Sequence, residues 1–280
     1  MTMILAEIVQ LAPVIFLSGI TANLPDLLAE VNLESGIVRA ICGEDNIAEI
    51  SPETDGIGAC QVCPSFTSDG ESGYNSEGAN AILTAISNGS FTDSDRVEAV
   101  VDLSGCDPHV GNFGGSVLLR QSGSRWRVVN YENGYRSQDC LTVETASDRD
   151  LLVCRASYTG MGYINEWLDV RQHSNTDIES TQLLGVESNI HACRSPFFDV
   201  RIVDFELQDE NEDGWKDVVA TVSSAVETNP TPGAETNCDL EPNLSEPTLD
   251  RLTFLFDGRS FQPTPETAQR IEELEAIANP

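Results

Sequence analysis

The chain has 280 residues, with 46 Asp or Glu against 15 Lys or Arg and a formal net charge of −31. A field of that sign repels phosphate backbones and anionic bilayers, which excludes nucleic acid as a partner and membrane insertion of the mature chain. Hydrophobic residues still make up 40%, enough for one large or two modest domains with a real core.

Residues 1–22 form a first unit. Leu11-Ala-Pro-Val-Ile-Phe-Leu-Ser-Gly-Ile is a short apolar run followed by the small residues Thr21 and Ala22, the layout of a signal-peptide core and cleavage region. Glu7 precedes the run and no Lys or Arg does, so a buried helix competes with that reading. The run is too short to span a bilayer.

Residues 23–80 form a second unit. Leu, Ala, Val and Ile recur at helical spacing from Leu24 to Ile41, with Asn23 or Pro25 near the start. Residues 51–80 are rich in Ser, Gly, Asp and Glu and read as a long loop pinned by Cys60 and Cys63.

The chain has 8 cysteines, an even number that points to disulfides and an oxidising compartment. Cys140 and Cys154 lie symmetrically about the turn at Ala146-Ser-Asp-Arg, opposite one another in a hairpin, where a cross-strand bridge fits. Cys193 and Cys238 bracket the acidic loop described below and form a second expected pair. Cys42, Cys60, Cys63 and Cys106 have no assignable partners. A structural zinc site built from Cys60, Cys63, Cys106 and His109 is the competing reading for this group.

Residues 81–280 form the third and largest unit, in which a strand–turn–acid–strand pattern recurs three times. Ser90-Phe-Thr-Asp-Ser-Asp-Arg-Val leads to Glu98 and then Ala99-Val-Val, with Ser116-Val-Leu-Leu-Arg beyond. Leu141-Thr-Val-Glu-Thr and Ser147-Asp-Arg lead to Asp150 and Leu151-Leu-Val-Cys, with Trp167-Leu-Asp-Val-Arg beyond. Val203-Asp-Phe-Glu-Leu leads through residues 209–217 to Val218-Val-Ala-Thr-Val, with Leu252-Thr-Phe-Leu-Phe beyond. Glu98, Asp150 and Asp217 stand roughly 50–70 residues apart, the size of a small antiparallel sheet or propeller blade. The expected fold is mainly β: three related antiparallel sheets, propeller-like or an incomplete propeller, with a pair of packed sheets as the alternative. Thr228 to Pro247 is a Pro-, Thr- and Glu-rich insertion within the third unit. Thr264-Pro265 caps a short C-terminal helix whose Ile271 and Leu274 form a docking stripe.

Residues 209–217 read Asp-Glu-Asn-Glu-Asp-Gly-Trp-Lys-Asp. Asp209, Asn211 and Asp213 place oxygens at alternate positions, Gly214 permits a sharp turn and Asp217 closes the loop. Calcium takes roughly six to eight oxygens at about 2.3–2.6 Å, and a tight acidic turn supplies them. An EF-hand would place a bidentate Glu where Ala220 stands, and the flanks read as strands rather than helices. The loop therefore resembles the FG-GAP and VCBS calcium-binding repeats, of form D-x-D/N-x-D-G-x-x-D followed by an apolar strand. That resemblance implies Ca2+ held by the side chains of Asp209, Asn211, Asp213 and Asp217 and by the main-chain carbonyl of Trp215. The two earlier units lack the alternating oxygens and the glycine, and read as structural turns.

No nucleophile, zincin, phosphate-loop or dinucleotide motif occurs among the residues around His109, His173 and His191. The expected function is a non-catalytic, secreted, periplasmic or cell-surface calcium-binding β-repeat protein, engaged in binding or adhesion to a protein or carbohydrate. Tyr158, Tyr163 and Trp167 suit either core packing or a carbohydrate face. The alternatives are a hydrolytic enzyme or enzyme-associated domain using His109 and a nearby carboxylate, and a zinc-stabilised interaction module.

Overall fold

A computed structural model describes residues 24–49, 56–67, 81–106, 114–134, 137, 139–193, 195–230 and 242–278, with side chains from residue 33 onward. Residues 1–22, His109 and Cys238 lie outside that set, and so do the readings that rest on them.

The chain opens on helix α1 (Leu24–Cys42), followed by two short strands, β1 (Ile47–Ala48) and β2 (Gly58–Cys60). Four strands then run as a meander: β3 (Ala81–Gly89), β4 (Glu98–Gly105), β5 (Gly114–Ser122) and β6 (Arg125–Asn133). A second meander comprises β7 (Asp139–Glu144), β8 (Asp150–Gly160), β9 (Tyr163–His173) and β10 (Ile178–Ser188). The third comprises β11 (Phe198–Gln208), β12 (Asp217–Val226), β13 (Thr248–Phe256) and β14 (Phe261–Pro263), and α2 (Pro265–Ala278) ends the described chain. The second strands of the three meanders begin at Glu98, Asp150 and Asp217, the three acids that mark the units in the sequence.

The described strands form two antiparallel sheets rather than the expected three. One is six-stranded, in the order β1 to β6, and the other eight-stranded, from β14 to β7. The second and third meanders share a sheet because β10 and β11 pair at Ser188 and Asp199. One apolar layer also runs beneath both, from Val143 on β7 to Phe261 on β14. The eight-stranded sheet curls into a half-barrel around α2, whose Leu274 lies in that layer with Ile271 and Ile277 packed against it. Thr264 caps α2 as expected, its hydroxyl accepting the Thr267 N–H at 3.2 Å.

Period-2 alternation gives each sheet two distinct faces. Ala99, Val101 and Leu103 of β4, with Val117 and Leu119 of β5, pack on Ile37, Val38 and Ile41 of α1. Val100 and Leu118, on the opposite face, meet Leu152 and Cys154 of β8. The molecule is thus layered as helix, sheet, sheet and helix. The inter-sheet layer also buries charge. Arg120 donates to Glu98 at 2.8 Å and to Asn175 of the β9–β10 turn at 2.6 Å, and Arg171 forms an ion pair with Glu132 on β6.

Three disulfides join described residues, Cys42–Cys60, Cys63–Cys106 and Cys140–Cys154, consistent with an extracellular or oxidising environment. Cys140 and Cys154 are direct cross-strand partners, as the hairpin symmetry indicates. The first two bridges occupy Cys60, Cys63 and Cys106, which leaves no thiolate there for the zinc site considered above. Cys193 is also disulfide-bonded, and its expected partner Cys238 lies outside the described residues. The insertion after β12 is tied at its ends, where Thr228 N–H donates to the Asn243 carbonyl at 3.0 Å. No described helix is long and apolar enough to cross a membrane.

Candidate functional site

The 209–217 loop joins β11 to β12, whose last and first residues, Gln208 and Asp217, are directly paired. The eight residues 209–216 must therefore reverse the chain within one strand spacing, and polar side chains take over the work of the backbone ladder. Asp209 accepts the N–H groups of Asp213 at 3.1 Å and Gly214 at 3.0 Å. Asn211 accepts the Asp213 N–H at 3.1 Å, and Asp213 accepts the Trp215 N–H at 2.9 Å. The side chains of Asn211 and Asp213 are joined at 2.9 Å. Glu212 and Gly214 take positive φ, 60° and 93°, and the glycine has open space where a Cβ would stand. Glycine is thus required at 214 by the backbone conformation rather than by crowding.

Of the five residues expected at the loop, Asp209, Asn211 and Asp213 are brought together on its exposed outer side, linked through shared N–H donors. Asp217 goes elsewhere. It is 0% exposed, with one oxygen accepting the Glu210 N–H and the other the Phe256 N–H, each at 2.8 Å. It ties the first residues of the loop to the end of β13. Trp215 turns its indole inward, edge-on to Phe256 at 6.1 Å, and lies against the β13–β14 turn at Gly258. Arg251 closes the outer rim with two hydrogen bonds of 2.8 Å to Glu210 and one of 2.6 Å to Gln208. That contact holds the Glu210 carboxyl below its usual range and the guanidinium above its own.

The donor set is hard oxygen, the chemistry that calcium prefers. Among the described residues, no three His, Cys, Asp or Glu side chains are grouped closely enough to hold a metal ion. The oxygens of Asp209, Asn211 and Asp213 are at present occupied by N–H groups of their own loop.

The same carboxylate position recurs in the other two meanders with different partners. Glu98 accepts the N–H of Thr92 in its own loop at 2.7 Å, as Asp217 does with Glu210, and takes Arg120 instead of a second N–H. Asp150 accepts the Ser90 N–H at 2.6 Å, reaching into the loop of the first meander. In both, the carboxylate anchors a turn.

The segment around Tyr158, Tyr163 and Trp167 is a tight hairpin between β8 and β9 rather than a loop. Met161 at its tip is 96% exposed, and Trp167 is half-buried near α2. No protein-family model, curated protein or solved structure matches this chain. Its reading therefore rests on its own geometry.

Proposed function

We propose that this chain is a non-catalytic, extracytoplasmic β-repeat protein whose 209–217 loop binds one calcium ion, and that it serves binding or adhesion. The observation that carries the reading is the loop's internal bonding: Asp209 accepts from Asp213 and Gly214, Asn211 from Asp213, and Asp213 from Trp215. That bonding wraps three alternate oxygen-bearing side chains around one turn before any ion arrives, so less ordering remains to oppose binding. Asp209, Asn211 and Asp213 would hold the ion with the Trp215 carbonyl, while Asp217 contributes whatever lone pairs its two N–H donors leave open. The likeness to FG-GAP and VCBS repeats enters through this hairpin and through the three meanders, and the proposal does not require a closed propeller.

Calcium here is structural. It would neutralise converging carboxylates and fix β11 and β12 in register, in a chain whose net charge of −31 already strains its surface. The three disulfides support an exported location.

The test is calorimetric titration of calcium into chelator-stripped, non-reduced protein, with Asp213→Ala as control. Saturation near one ion per chain, lost in the variant, is the expected result. No heat and no change of melting temperature would leave residues 209–217 an acidic turn and remove the family likeness with it.

A further inference from the structure

Where the eight-stranded sheet curls, its first and last hairpins touch. The Ala146 N–H of the β7–β8 turn donates to the Gly258 carbonyl of the β13–β14 turn at 2.9 Å. Behind this contact, against Phe91 of the β3–β4 loop, is a cavity of about 300 Å3. No spacing in the sequence pairs these turns, because they lie in different meanders and meet only through the curl.

The charge of the cavity runs against that of the chain. Arg149 stands at one turn and Arg259 at the other. Eight described arginines are held in ion pairs. Arg149 and Arg259 form no ion pair among the described residues, although Arg259 and the neighbouring Asp257 attract one another and Arg149 also lines a smaller cavity beside Asp177 and Glu179. Gln172, on the same wall, has no side-chain partner among the described residues either. Two carboxylates stand close by and offset part of that positive charge. Asp150, in the lining, accepts the Ser90 N–H at 2.6 Å, and Asp257 accepts the N–H groups of Arg259 and Ser260 at 2.8 Å each. Those two N–H bonds hold the Asp257 carboxyl below its usual range.

Two guanidinium side chains that line one concavity without an ion pair match a carboxylate, which their planar forks can take in bidentate fashion. The hydroxyl of Ser147 and the amide of Gln172 supply both donors and acceptors beside them. The Thr145 hydroxyl is committed to its own turn, donating to the Arg149 carbonyl at 2.7 Å and accepting the Ser147 N–H at 3.2 Å. Volume sets the size, since ligand pockets run roughly 300–1,000 Å3 and this one sits at the lower limit, room for a single ring. We propose that the cavity closed by Ala146 and Gly258 binds a hexuronate, with Arg149 and Arg259 on its carboxylate and Gln172 and Ser147 on its ring hydroxyls. This site is separate from the calcium loop and does not depend on it.

The test is calorimetric titration of the full chain with D-glucuronate, D-glucose and inorganic sulfate at low ionic strength. Saturable glucuronate binding is expected, with glucose and sulfate each at least about tenfold weaker, a difference of about 1.4 kcal/mol. Arg149→Gln and Arg259→Gln should each weaken glucuronate by about tenfold or more without changing the melting temperature. Arg125→Gln, on the edge strand β6, should change neither. Glucose binding as well as glucuronate would remove the role of the arginines. Sulfate binding as tightly would reduce the site to an adventitious ion only. Unchanged affinity in both cavity variants, or no binding of glucuronate by the wild-type chain, would overturn the assignment.

Discussion

The carboxylate of Asp217 accepts the backbone N–H of Phe256 at 2.8 Å, joining the first residue of β12 to the last residue of β13. Its other oxygen holds the Glu210 N–H, so a single buried side chain satisfies two backbone donors, one of them in the interior. Removing it orphans both, at about 1–3 kcal/mol each. Asp217→Ala should therefore cost about 2–4 kcal/mol even in chelator, and more in calcium. Asp213→Ala should lower stability only when calcium is present. Denaturant unfolding of both variants in the two conditions separates the roles; equal losses in calcium and in chelator for Asp213→Ala would count against an ion in the loop.

The strand starts at Glu98, Asp150 and Asp217 were legible because a repeated acid before an apolar run marks each unit. The Cys140–Cys154 bridge followed from hairpin symmetry, and the α2 cap from Thr264-Pro265. Asp217 showed as an acid in a calcium-like pattern, but its engagement with Phe256 depends on how β13 lies beside β12, which local spacing does not carry. The count of sheets was hidden for the same reason: the Ser188–Asp199 pairing that joins the second and third meanders leaves no composition signal. The arginine cavity is the extreme case, since Ser147-Asp-Arg and Asp257-Gly-Arg look like ordinary turns until the curl brings them together.

His173 is 1% exposed, its ring tilted by 53° against Phe91 at 5.7 Å, and neither ring nitrogen has a hydrogen-bond partner among the described residues. Burial first, and then the neighbouring Arg171 charge, lower its pKa to about 3. Arg149, Gln172, Ser174, Asp177 and Glu179 line the small cavity on its other side. The folded state thus prefers neutral imidazole while the unfolded chain takes up a proton near the ordinary value of about 6.5. Its contribution is complete above that value and is lost as pH falls towards 3, with a slope of at most about 1.4 kcal/mol per pH unit. His173→Phe should flatten the decline in melting temperature between neutral and mildly acidic pH. Parallel wild-type and variant profiles over that interval would place the acid sensitivity elsewhere.

The disulfides differ in the length of chain they close. Cys140–Cys154 spans 14 residues and Cys63–Cys106 spans 43. Loop-closure entropy assigns about 3 kcal/mol to the first and about 4 kcal/mol to the second. Cys63→Ala with Cys106→Ala should therefore destabilise more than Cys140→Ala with Cys154→Ala, by about 1 kcal/mol in denaturant unfolding. The opposite order would mean that the short bridge works mainly on the native state, by holding β7 on the sheet edge.

Arg171 is the largest fully buried side chain in the molecule as described, and it spans the two sheets through Glu132 on β6. Burial lowers its pKa to about 10, a shift that Asp102 opposes, and it remains charged at neutral pH. Breaking a buried pair by removing one partner typically costs about 3–5 kcal/mol, because the remaining charge loses its counterion. Replacing both partners with neutral groups of similar size costs much less. Arg171→Met alone should thus fall in the larger range, and adding Glu132→Gln should recover part of the loss. The single variant also removes the charge that helps to hold His173 neutral, so the imidazole pKa should rise from about 3. An NMR titration of the His173 ring reads that rise independently of stability. If the pKa stayed fixed while stability fell, Arg171 would act through packing alone, and the charge coupling across the sheet junction would be absent.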